Sequence, residues 1–87
     1  MTVAFHGIVT QHTNSDKTFT PTMTCSTLRV LLDELSSYYG ESFGTFVYGN
    51  ETCLFLVNGR GIALSGGLDS PLVPGDKVDI LPFVEAG

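Results

Sequence analysis

The sequence is poor in positive charge: among its 87 residues, four Lys and Arg stand against nine Asp and Glu, a net charge of −5. Binding nucleic acid needs Lys and Arg clustered against phosphates, and that footprint is missing. Anionic membrane surfaces are disfavoured for the same reason. Long apolar runs are missing too, and nothing approaches the roughly 18 residues of a membrane-spanning helix. The first six residues show no basic stretch followed by an apolar one, so no secretory signal is expected. Cysteine is scarce. Cys25 and Cys53 are too few for a disulfide scaffold and are expected to be thiols in a cytoplasmic protein. A zinc site would need two more ligands, and the only histidines, His6 and His12, lack the usual spacings. An iron–sulfur cluster of the plant type would need four cysteines. The glycines at 59, 61, 66 and 67 open no helix after a strand, so they form no phosphate loop, and there is no Gly-x-Ser-x-Gly elbow.

What is present describes one folded domain. Apolar residues make up 43% and charged residues 15%, too apolar and too weakly charged for a disordered chain. A chain of this length buries only about 60–65% of its unfolded surface, which leaves little room for an enclosed active site. Binding or carrying is expected rather than catalysis.

Residues 1–9 read as a strand, with Val3 and Phe5 on one face and Ala4, His6 and Ile8 on the other. Asn14-Ser15-Asp16 is a turn, and residues 17–20 are a second strand that Pro21 confines to an edge. Leu28, Leu31, Leu32 and Leu35 form one stripe of an amphipathic helix, capped by Ser26 or Thr27 and ended by Gly40. Phe43, Phe46 and Val47 follow at helical spacing, started by Ser42 and closed by Gly49-Asn50, although Gly44 weakens a helix there. Cys53-Leu54-Phe55-Leu56-Val57 suits a buried strand, Asn58-Gly59 bounds it, and a short strand follows from Arg60. Pro74 and Gly75 occupy the centre of a turn. In the last strand, residues 77–83, Val78 and Ile80 point to the core and Lys77 and Asp79 to water. The same alternation puts Leu81 and Phe83 on the wet face. Either they form a contact surface, or the strand bends at Pro82 and buries them. Val84-Glu85-Ala86-Gly87 has no hydrophobic pattern and is expected to be a flexible tail, leaving residues 1–83 as the domain. Strands before and after a helix in so short a chain imply an α+β roll with the helix on one sheet face.

Leu31-Leu32-Asp33-Glu34-Leu35, Val57-Asn58-Gly59 and the block at residues 71–87 together resemble the ubiquitin-like sulfur carriers. These are the small subunit of molybdopterin synthase and the sulfur carrier of the thiamine pathway. Pro71-Leu72, Gly75-Asp76, Val78, Pro82, Val84 and Gly87 match the pattern that closes that family's chains. The resemblance implies a ubiquitin-like β-grasp roll, a mixed sheet crossed by one main helix. It also implies a sulfur carrier that is not itself an enzyme and binds no cofactor. An E1-like partner would adenylate the carboxylate of Gly87 with ATP, and a sulfur donor would convert it to a thiocarboxylate. Val84, Glu85 and Ala86 would thread the partner's channel, while Leu81, Phe83 and His6 would lie on the partner-binding face. The molybdopterin type further implies the large subunit of that synthase as a partner. One departure stands out: the family ends Gly-Gly, and Ala86 occupies the penultimate position here. The added methyl is tolerated only where the channel holds this residue at negative φ. Two other readings stay open: a non-covalent β-grasp interaction module, and a carrier serving thiamine or another product.

Overall fold

The computed structural model describes residues 1–21, 26–48, 53–62 and 66–82. The leucine stripe forms helix α1 (Leu28–Tyr39), and Leu28, Leu31, Leu32 and Leu35 are all fully buried. The Thr27 hydroxyl accepts from the Val30 N–H at 3.3 Å and so satisfies a first-turn donor. Gly40 ends the helix at φ 104°, a backbone angle that favours glycine. Helix α2 (Glu41–Tyr48) follows at once and buries Phe43 and Val47. Gly44 does not break it. A Cβ at this position would lie 3.1 Å from Ser36 Oγ, so the missing side chain lets α2 lie close to α1. Close packing here offsets the weak helix propensity of glycine. The expected stop at Gly49-Asn50 lies outside the described residues.

The strands are β1 (Thr2–Phe5), β2 (Thr18–Phe19), β3 (Cys53–Val57), β4 (Arg60–Gly61) and β5 (Lys77–Pro82), ordered β2-β1-β5-β3-β4. The last strand is therefore the central one. It runs parallel to β1, with Val3 opposite Val78 and Phe5 opposite Ile80. It runs antiparallel to β3, with Phe55 also opposite Ile80. Val3, Phe5, Phe55, Val78 and Ile80 face the helices and form the core with the four leucines, Phe43 and Val9. Two-residue β2 sits at an edge, as Pro21 requires. Asn58 (φ 53°) and Gly59 (φ 82°) make the tight turn between β3 and β4. The turn before β5 closes through Asp76 N–H to the Val73 carbonyl at 3.1 Å, with Gly75 at φ 94°.

Two expectations need correction. The first strand stops at Phe5 instead of reaching Val9. Gly7 adopts φ 58°, and Gly7–His12 becomes a 3-10 helix that buries Val9 and leaves Ile8 exposed. The apolar run in β3 is buried on one face only. Phe55 points to the core, whereas Leu54 is 38% exposed, because the helices cover just one side of the sheet. The architecture is the β-grasp roll that the resemblance implied: a five-stranded mixed sheet with helices packed across it.

Candidate docking face and tail exit

Being central, β5 carries the chain out of the middle of the sheet toward residues 83–87. Phe83, Val84, Glu85, Ala86 and Gly87, together with the expected boundary between domain and tail, lie outside the described residues. The residue that prepares the exit is Leu81. It pairs in register with Leu54, and two positions back Asp79 pairs with Leu56. Val78 and Ile80 face the core, so strand alternation puts Leu81 and Asp79 on the outer face. Leu81 is partly exposed there and the strand continues through Pro82, which supports the contact-surface alternative for this residue. Leu54, Leu56 and Leu81 thus make a small apolar patch on a face that no helix covers among the described residues.

His6 reaches the same face from the neighbouring strand. Its N–H donates to the Ile80 carbonyl at 3.0 Å, which extends the β1–β5 ladder by one residue. Its Nε2 lies 2.9 Å from Asp79 Oδ1. The His6 side chain is 49% exposed and that of Asp79 only 15%, so the carboxylate is the sheltered partner. Lys77 Nζ approaches the same oxygen at 3.9 Å. The fold therefore brings His6 and Leu81, 75 positions apart, onto one surface. Leu54, Leu56 and Asp79 were not singled out by sequence reasoning. Their signal was present as alternation about Phe55 and Ile80, but it required knowing that one face of the sheet is bare.

On the helical side, a shallow cavity of about 410 Å³ is lined by His12, Glu41, Ser42, Thr45 and Phe46. His12 Nδ1 lies 2.7 Å from Ser42 Oγ, and its ring stacks on Phe46 with centroids 4.4 Å apart. A hydroxyl–imidazole pair needs a third group to orient the base before it resembles a nucleophilic site. Here an aromatic ring holds the imidazole, so the pair ties the 3-10 helix to α2. Among the described residues no helix is long and apolar enough to cross a membrane.

A mixed β-grasp sheet with helices packed across one face is the ubiquitin-like fold. The chain belongs to the ThiS family, whose model matches residues 7–87. It is thus a ubiquitin-like sulfur carrier, a small protein that carries and does not catalyse. Among solved structures it resembles a chain of the Amycolatopsis orientalis BexX/CysO complex, with 26% identity and TM-score 0.81 over 99% of this chain and 98% of that one. Mycobacterium tuberculosis CysO is also 26% identical, with TM-score 0.80 over 95% and 98%. A chain in the complex of subunits 1 and 2 of Helicobacter pylori molybdopterin-converting factor is 24% identical, with TM-score 0.58 over 99% and 96%. This last likeness is one of fold alone. No curated protein matches the sequence.

Proposed function

We propose that the chain carries sulfur as a thiocarboxylate on Gly87. The observation that supports this reading is the family match, which runs through Ala86 to Gly87. An E1-like partner directs a Gly87 carboxylate oxygen at the α-phosphorus of ATP, and pyrophosphate leaves. Sulfide sulfur from a donor then displaces AMP, so one oxygen is exchanged for sulfur. Val84, Glu85 and Ala86 thread the channel while Leu81, Phe83 and His6 dock on the partner. The dependence on ATP fits a cytoplasmic protein.

Two destinations for the sulfur fit this chemistry. The tail pattern points to molybdopterin synthesis, with the large synthase subunit as second partner. The likeness to a chain of the BexX/CysO complex keeps delivery to another acceptor open beside it. Intact mass after incubation with ATP, the adenylating enzyme and sulfide tests the carrier step. The expected shift is one oxygen replaced by sulfur, absent when Gly87 is deleted. No shift, with the enzyme competent on another carrier, overturns the reading in favour of a non-covalent interaction module. The loaded protein is then offered to a molybdopterin synthase large subunit with its pterin precursor. Product formation selects the molybdopterin destination, and its absence selects the other. Ala86→Gly is expected to load at least as fast as the wild type, because it removes the methyl from the channel.

A further inference from the structure

The imidazole on the outer sheet face has its hydrogen-bonding sense set from within the sheet. An ionised carboxylate only accepts, so the 2.9 Å contact to Asp79 Oδ1 requires His6 Nε2 to be the donor. In the neutral ring Nδ1 then keeps its lone pair and can only accept. Asp79 is suited to hold the ring. Its neighbours in register are Ala4 and Leu56, and its carboxylate is largely covered while half of His6 is open. Lys77 Nζ stands 3.9 Å from the same oxygen on the more exposed side. Among the described residues none hydrogen-bonds to Nδ1. A free imidazole would accept a partner's donor or acceptor equally well by switching tautomer. A held one discriminates, because burying lone pair against lone pair leaves both unsatisfied.

We propose that Asp79 is a positioning residue that presents His6 Nδ1 as a hydrogen-bond acceptor on the face carrying Leu54 and Leu81, so that the activating enzyme meets this face with an N–H donor beside an apolar surface. The inference rests on the docking reading given above. Charge argues the same way: a carrier at −5 is met best by a donor on a cationic side chain.

The test has two arms. A long-range proton–nitrogen correlation spectrum of the nitrogen-labelled full chain is recorded at about pH 8.5, where an ordinary imidazole is neutral. His6 is expected to show a protonated Nε2 and a bare Nδ1, and Asp79→Ala is expected to lose this single tautomer. Calorimetry with the adenylating enzyme, without ATP, reads docking. Asp79→Ala and His6→Ala are each expected to weaken it by about three- to tenfold, the worth of one hydrogen bond. The double variant is expected to lose no more than either single one. If Asp79→Ala fails to fold, the wild-type spectrum and His6→Ala carry the test. An Nδ1–H tautomer in the wild type, unchanged docking in His6→Ala, or no docking by the wild-type chain overturns the proposal. Loading is read separately. A chain that docks through His6 but gains no sulfur overturns the carrier reading and leaves this one standing.

Discussion

Asn58 and Asp76, 18 positions apart, join two turns: Asn58 Nδ2 donates to Asp76 Oδ1 at 2.8 Å. Asn58 Oδ1 accepts the Lys77 N–H at 3.0 Å, and Asp76 Oδ2 accepts the Val73 N–H at 2.9 Å. The pair thereby ties the β3–β4 hairpin to the start of β5, the strand that leads to the tail.

The Asp76 carboxyl is held below its usual range, first by the Val73 N–H and then by the Asn58 amide. A lowered carboxyl stabilises the fold above its unfolded value near 3.8, and that stabilisation is lost as pH falls through the folded value. Asp76→Ala is expected to cost about 1 kcal/mol at neutral pH, less than the ordinary worth of a charged hydrogen bond because the site is open to solvent. Urea unfolding should show this gap constant above about pH 5 and shrinking below about pH 4.

Tyr48 donates to Asp33 Oδ1 at 2.7 Å. Burial, then the hydrogen bond and charge of Asp33, push its phenol up to about 12. Tyr39 is raised in the same sense, by burial and by Asp16. In both, the unfolded chain releases its proton first, so stability is expected to fall as pH rises above 10, the ordinary tyrosine value. Tyr48→Phe should flatten part of that fall in melts followed between about pH 9 and 11.5.

Among the described residues Ser36 Oγ finds no hydrogen-bond partner, and it is buried where α1 meets Gly44 of α2. Ser36→Ala is expected to stabilise by up to about 1 kcal/mol, because it removes an unsatisfied hydroxyl. That corresponds to roughly 4–8 °C in melting temperature for a domain of this size. Gly44→Val would force the helices apart and cost about 1–3 kcal/mol.

The two faces of β5 should separate stability from docking. Ile80→Ala empties a fully buried site and is expected to cost about 2–5 kcal/mol. Leu81→Asp and Leu54→Asp alter the bare face and should leave melting within a few degrees. Both should abolish measurable docking on the adenylating enzyme. Docking that survives in both variants would remove this face from the interface.

Local features were legible in the sequence. The leucine stripe, a cap at Ser26 or Thr27, the Asn58-Gly59 strand end and the Pro74-Gly75 turn follow from spacing and backbone chemistry within a few residues. The inward pair Val78 and Ile80 follows from simple alternation. Where sequence reading went astray, the missing information was tertiary. Gly7 could continue a strand or turn it, and packing of Val9 into the core decided for the turn. The helix expected over Phe43, Phe46 and Val47 did form, and the close approach of Gly44 to Ser36 explains why its glycine is tolerated.

The sequence by itself determined the two α-helices and the main strands and turns apart from residues 7–12, which leucines of α1 are core, and that the end of the chain resembles a sulfur carrier's. Only the tertiary structure decided that the last strand is the central one, that one face of β3 is bare, and that His6 meets Asp79 across 73 positions. The reason is physical. Helix stripes and turns are set by neighbours along the chain, whereas strand order and the choice of covered face are set by which distant segments bury their apolar surface together.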